Sequence, residues 1–186
     1  MVAEEFCKIE FKRKDVQANA LKKMYDKLAQ HYVSVGIHKA EGSEVVCVSN
    51  GKPFTMIQNA CIQEFGNTQT VKQTRRFKSP FTGKWFYLKK GTVINIPPRI
   101  FVRIFSHDKA KQRELTQVFK QSIELYKFAH PIYENVGDWA RLVMKERVLF
   151  KQIKPKNASM TIEYKGFNSP LYATGKLASA IKSEVH

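Results

Sequence analysis

The sequence predicts one α+β domain: a small, mostly antiparallel β-sheet packed by an N-terminal helix and two long central helices. Three observations carry that prediction. Short apolar, β-branched runs bounded by turn residues recur through the first half. Two long segments in the second half repeat their apolar residues at helical spacing. The chain has 186 residues, 43% apolar and 12% aromatic. That is enough to bury one core without a disulfide or metal staple.

The first periodic segment runs from Val16 to Tyr32. Leu21, Met24, Tyr25, Leu28 and Tyr32 recur with Lys22, Lys23, Asp26 and Lys27 between them, which predicts an amphipathic helix. Val33 to Ile37 is a short β-branched strand, followed by a turn at Glu41-Gly42-Ser43. Val45 to Val48 is a second strand, and Asn50-Gly51 after it signals a hairpin. Phe54 to Phe65 is predicted helical, with Ile57, Ala60, Cys61 and Glu64 on one face and Gly66-Asn67 as its stop. A polar, basic stretch follows. Lys84 to Leu88 and Thr92 to Ile96 are strands flanking Lys89-Lys90-Gly91, and Pro97-Pro98 ends the second. The first long helix starts at Ser106 or Asp108 and runs to Ala129, about 30 Å. Its stripe is Leu115, Val118, Phe119, Ser122, Tyr126 and Ala129, and Pro131 stops it. The second runs from Asp138 to Ile153, with Trp139, Leu142, Val143, Leu149, Phe150 and Ile153 on one face, and Pro155 stops it. The tail holds an alternating run, Met160 to Tyr164.

Charge is the strongest compositional signal. Lys and Arg outnumber Asp and Glu by 32 to 16, a net +16. Such an excess speaks about partners rather than fold. Between Glu64 and Asp108 there is no acid, yet nine cations occur: Lys72, Arg75, Arg76, Lys78, Lys84, Lys89, Lys90, Arg99 and Arg103. Phe77, Phe81, Trp85, Phe86 and Tyr87 are interleaved with them. Three readings stay open: docking on an acidic protein, contact with DNA, or a solvated basic face. Strand alternation would turn Trp85 and Tyr87 inward and Lys84 and Phe86 outward. Ser79 to Gly83 forms a turn or an exposed loop. In Ile96-Pro97-Pro98-Arg99-Ile100-Phe101-Val102-Arg103 the prolines force an extended entry. Phe101 anchors this connector in the core, and Arg99 and Arg103 share a face if a helical turn has begun.

The usual enzyme constellations are missing. No G-x-S-x-G elbow, H-E-x-x-H zinc pair or Walker-type phosphate loop is present. His31, His38, His107, His130 and His186 are expected to be surface or structural residues, with no metal and no cofactor. Glu134 and Asp138 fit charge compensation at a helix start. Cys7, Cys47 and Cys61 are scattered, which predicts reduced thiols buried as small hydrophobes. The N-terminus has early acids and no apolar core, so no secretory signal is expected. No apolar run reaches the length of a membrane helix.

Four segments, in order, resemble the virion-morphogenesis family of tailed bacteriophages, the tail-completion and head–tail joining proteins. Val33-Ser34-Val35-Gly36-Ile37 is similar to the family's early strand ending in glycine. Ala60-Cys61-Ile62-Gln63-Glu64-Phe65-Gly66 is similar to its A-x-x-x-E-F-G helix end. Ile96 to Arg103 is similar to its I-P-x-R-P-F-x-R connector. Pro170-Leu171-Tyr172-Ala173-Thr174-Gly175-Lys176-Leu177 is similar to its P-L-x-D-T-G-x-L-x-x-S-I ending. The matches span residues 33 to 181. Ile100 replaces a proline, Ala173 an aspartate and Ala180 a serine.

The resemblance implies a structural virion protein of the neck or upper tail, made in the host cytoplasm. It implies a homo-oligomeric ring, usually a hexamer, without enzymatic activity. Its neighbours would be connector or stopper proteins and a tail terminator or tail tube, with packaged DNA as a further contact and no membrane. The motif residues it singles out are Gly36, Glu64, Phe65, Gly66, Pro97, Pro98, Phe101, Thr174, Gly175 and Leu177. Gly66 would be left-handed and Thr174 would cap a final helical turn anchored by Leu177 and Ile181. The contact surface expected is Lys72, Arg75, Arg76, Lys78, Lys89, Lys90, Arg99 and Arg103, around a loop or hairpin at about 67–91. The segment 166–186 packs on its own core or on a neighbouring subunit. The alternatives are a nucleic-acid-binding module using residues 72–103, and a minor tail structural protein.

Overall fold

The computed structural model describes residues 19–20, 22–49, 52–126, 128–149 and 153–186. Cys7, Leu21, Asn50-Gly51 and Phe150 lie outside them. Residues 19–20 are helical, as is α1 (22–29). There follow β1 (Val33–Gly36), α2 (Lys39–Gly42), β2 (Val45–Ser49), β3 (Lys52–Thr55), α3 (Met56–Phe65), β4 (Asn67–Thr70), β5 (Arg75–Lys78), β6 (Trp85–Leu88) and β7 (Val93–Ile96). The second half holds α4 (Ile104–His107), α5 (Lys109–Leu125), α6 (Ala129–Leu149), α7 (Ser159–Lys165), α8 (Lys176–Ser179) and β8 (Lys182–Val185).

The fold is α+β, but its strands do not join into one sheet. They form four two-stranded antiparallel ladders among the described residues: β1–β8, β2–β3, β4–β7 and β5–β6. Each strand has only four or five residues. Each ladder therefore takes its cover from a different element. α6 lies across β1–β8, where Gly137 meets Val33 and Ser183, and α7 lies against β5–β6 through Tyr164. α1 packs on the start of α6 rather than on a sheet: the Tyr133 hydroxyl donates to the Leu28 carbonyl at 2.9 Å. Tyr25 and Tyr32 of its expected stripe are exposed.

Several boundaries differ from expectation, each for a local reason. α3 starts at Met56, because the Gln58 side chain accepts from the Thr55 backbone N–H at 2.9 Å and fixes the first turn. Its inward face is Met56, Ala60 and Glu64, while Ile57 and Cys61 are exposed. Asp108 is the cap of α5, accepting from the Ala110 and Lys111 amides. α5 ends at Leu125, and Pro131 sits in the first turn of α6 instead of stopping its predecessor. That turn has no intrahelical acceptor for the missing N–H, so proline is tolerated. α6 thus begins nine residues before Asp138, and its buried line is Ile132, Val136, Ala140, Met144 and Val148. Leu142 and Leu149 are exposed. Asp138 and Glu134 are therefore not a helix start; Asp138 pairs with Arg141 at 3.0 Å and Glu134 lies 3.9 Å from His130. The run Met160 to Tyr164 is helical, closed by Gly166 at φ 78°, ψ 0°.

The core joins α3, the connector, α6 and the tail. Ala60, Phe101, Leu171, Leu177 and Ile181 are buried together with Met144 and Val148, and Val35 and Ile37 pack against them. All four family-like segments thus meet in one place. The C-terminal segment packs on its own chain, with β8 paired to β1 in register Val33↔Val185.

The crossing of α6 over β1–β8 depends on a glycine. A Cβ at Gly137 would lie 2.5 Å from Val33 Cγ2 and 3.2 Å from Ser183 Cβ. Gly137→Val is expected to destabilise the protein by about 3 kcal/mol through overpacking. Thermal unfolding measures it; an unchanged Tm would mean that the helix does not approach the ladder this closely.

Candidate docking surface

β4–β7 and β5–β6 are consecutive parts of one bent hairpin. Across the bend the Val71 amide donates to the Thr92 carbonyl at 2.9 Å and the Gly91 amide to the Val71 carbonyl at 2.8 Å. Val71 is buried there. At the tip, Ser79 Oγ accepts from the Phe81 and Thr82 amides at 3.1 and 3.0 Å and donates to the Tyr164 carbonyl. The tip is therefore a turn tied to α7, with Gly83 supplying the positive φ of 70°.

Register sets the two faces of this ribbon. Phe77 is opposite Phe86, Arg76 opposite Tyr87 and Lys78 opposite Trp85. Phe77 and Phe86 turn inward and pack on Tyr164, with centroids 5.7 and 5.6 Å away. Alternation then sends Arg76, Lys78, Trp85 and Tyr87 outward together. This reverses the expected orientation of β6: Phe86 is 7% exposed, Trp85 52% and Tyr87 59%. The deciding contact is Tyr164, nearly eighty positions away, which offers Phe86 an edge-on aromatic neighbour.

The outward face joins cations to aromatic rings. The Arg76 guanidinium lies 4.0 Å from the Trp85 ring centroid and 5.5 Å from that of Tyr87. Lys72, Lys78, Lys89 and Lys90 are exposed around it, while Arg75, also exposed, lies on the opposite side of β5 with Phe77. Lys84 faces Glu163 at 3.4 Å, an exposed pair of little energetic weight. With one face of Trp85 occupied by Arg76, the cluster is pre-formed for contact with a surface. Trp, Tyr and Arg are also the residue types enriched at the centres of protein interfaces.

Arg99 and Arg103 do not belong to that face; both have internal partners. Arg99 is buried and donates to Gln63 Oε1 at 3.2 Å, the Pro155 carbonyl at 3.0 Å and Asn157 Oδ1 at 3.3 Å. Arg103 Nε lies 3.0 Å from Glu64 Oε1, and its guanidinium lies 4.4 Å from the Phe65 ring centroid. Glu64 organises the connector. Its buried carboxylate accepts from the backbone amides of Phe101, Val102 and Arg103 at 2.8, 3.0 and 3.2 Å. Burial by itself would raise the Glu64 pKa, but these donors together with the Arg103 side chain outweigh it and hold it below the ordinary 4.5.

The other motif residues are structural as well. Gly66 has φ 79° and ψ 169°, so it is not left-handed helical, and a Cβ there would lie 2.8 Å from the Ile96 carbonyl oxygen. Pro98 approaches the same position, and Pro97 follows directly on the end of β7. Gly36 is buried at the end of β1. Gly175, left-handed at φ 79°, precedes α8 in place of the Thr174 cap, and Leu177 and Ile181 are buried. Cys47 and Cys61 are free but exposed, because β2 and that side of α3 have no covering layer.

Two groupings had no separate sequence signal. Lys165 donates to the carbonyls of Ser169, Pro170 and Tyr172, holding the tail loop. His38 Nδ1 lies 2.9 Å from Glu184 Oε1, and Ser34 Oγ lies 2.9 Å from His186 Nε2 and 3.3 Å from His38 Nε2. These groups clasp β8 onto β1, beside paired backbone bonds between Tyr32 and His186. His31 stacks against Tyr133 with centroids 6.4 Å apart.

No protein-family model, no curated protein and no solved structure matches this chain. Among the described residues no helix is long and apolar enough to cross a membrane, and no group of three His, Cys, Asp or Glu is placed to hold a metal ion.

Proposed function

We propose that this chain is a structural subunit that closes into a ring at the neck or upper tail of a bacteriophage particle. The observation that carries the reading is a pair of unlike exposed surfaces on one small protomer. The first is the outward cation–aromatic face of β5–β6. The second is the ribbon β2–β3, where Val45, Val46 and Val48 are exposed at 48%, 37% and 70%. A two-stranded ribbon is marginal alone, and exposed apolar strand edges invite pairing. Two unlike patches let one protomer meet two kinds of partner at once, a further copy and an adjoining layer, and a contact between unlike faces of successive copies closes into a ring when the rotation permits. In this reading the valine ribbon contacts the next copy. The cationic face meets an acidic surface of the adjoining layer, and packaged DNA lies within reach of its lysines. The order of the four family-like segments, which converge in the core, supports the same class.

Mass photometry and negative-stain microscopy of the purified chain test this, alone and with the products of its neighbouring reading frames. A closed ring of several copies, or incorporation into particles, is the expected result. A chain that stays monomeric and joins no particle overturns it. A nucleic-acid module would instead bind DNA alone, with affinity falling steeply as salt rises.

A further inference from the structure

The inner side of the hairpin, the connector and α7 enclose a cleft of about 670 Å³. That size is typical of ligand-binding clefts. One wall is strand β7 itself: six consecutive residues, 92–97, line it. Consecutive lining means that the backbone edge, not one alternating face, borders the space. β7 pairs on one edge only, with β4, among the described residues. Its other edge therefore offers free main-chain donors and acceptors. The facing wall is apolar, with Met160 and Tyr164 of α7.

One end of the cleft is cationic. Arg99, Lys165 and Asn157 line it, and no Asp or Glu does. Arg99, 4% exposed, bonds only to neutral acceptors. Lys165 bonds only to backbone carbonyls. Neither cation joins an ion pair among the described residues. The Asn157 amide nitrogen is buried without a partner. Burial, with Arg99 repulsion adding to it, pushes the Lys165 pKa down to about 8. Arg99 is buried and Lys165 half-buried, neither with a counter-ion among the described residues; removing such cations from water is costly, and a bound anion relieves that cost.

We propose that this cleft binds an extended segment of a partner protein that adds to the free edge of β7 and places a carboxylate, flanked by apolar side chains, against Arg99, Lys165 and Asn157. Strand addition supplies main-chain bonds, and the cationic end and apolar wall supply selectivity. The cleft is on the inner side of the hairpin and the docking face on the outer, so this site stands whether or not the chain forms a ring.

The test is selection from a randomised heptapeptide display library on the full-length chain, followed by calorimetry with the selected peptide. Expected are peptides with Asp or Glu between apolar residues. A Glu-to-Gln change in the peptide should weaken binding at least tenfold, and Lys165→Met at least fivefold. Lys120→Met, on the exposed side of α5, should leave it unchanged. The alternate amides of 93–96 that point away from β4 should gain protection from hydrogen exchange on binding. Selection of no peptide, selection without acids, or unaltered β7 exchange overturns the proposal. Octanoate competing as strongly as the peptide also overturns it, in favour of a small apolar acid. If Lys165→Met does not fold, the peptide pair and the exchange data on the natural chain still decide.

Discussion

Glu64→Gln is expected to cost about 3–5 kcal/mol, the usual loss on breaking a buried, hydrogen-bonded charge pair. The side chain is 4% exposed and is the common acceptor of three connector amides and the Arg103 guanidinium. Glutamine keeps one acceptor oxygen but turns an NH2 group toward donors that need an acceptor. For a chain of this length the loss corresponds to a Tm lower by about 10 °C. Because folding lowers the Glu64 pKa, the unfolded state binds more protons over the interval between the two values. The Glu64 contribution is therefore complete above the ordinary 4.5 and is lost as pH falls through the depressed folded value. The Tm gap between natural chain and variant should be constant near neutrality and shrink in that acid window. A variant that melts within 2 °C of the natural chain at pH 7 would contradict this account.

The second large effect concerns binding rather than folding. Trp85→Ala combined with Arg76→Ala removes the exposed stack on the outer face of the hairpin. Both positions are exposed, so stability should change by no more than about 0.5 kcal/mol per site. Incorporation into particles, or affinity for the adjoining ring, should fall at least about 30-fold, as expected of interface hot spots. Charge reversal at Arg76 and Lys78 separates the two kinds of partner. If the partner is DNA, the salt slope of binding drops by about one for each phosphate that is no longer neutralised. If it is an acidic protein, DNA affinity is not the quantity that changes. Normal particle assembly by the double variant would remove this face from the proposed function.

Much of the element inventory was legible because local patterns report it. The β1 run, the Val45 to Val48 run of β2, the strands at 84–96 and the two long helical segments all carry their period in neighbouring residues, whereas Phe54 and Thr55, read there as the start of a helix, belong to strand β3. The errors fall where a distant contact overrides that period or where the local signal is too short or ambiguous to read. Phe86 turns inward because Tyr164 is there. Met160 to Tyr164 alternates for only five residues, too few to separate strand from helix, and Gly166 closes a helix instead. Pro131 carries the same residue signal whether it ends one helix or begins the next. Only the cap at Asp108 and the early start of α6 resolve it.

The site divides in the same way. The acid-free interval from 65 to 107 is a property of the sequence, and no structure was needed to see its charge. Which of its cations face outward is not written there. Arg99 and Arg103 look like the other seven in a linear reading. Arg99 becomes buried and Arg103 becomes paired because the connector folds back onto Glu64 and residues 155–157. The sequence by itself thus determined the α+β class, the basic interval and the turns at 79–83 and 89–91, since those depend on composition and short-range spacing; the turn expected at Glu41-Gly42 is instead the end of helix α2. Only the tertiary structure decided the separate two-stranded ladders, the outward face of Trp85 and Tyr87, and the cleft whose two cations have no acidic partner among the described residues. Each of these depends on contacts between residues far apart in the chain, whose pairing carries no local signal.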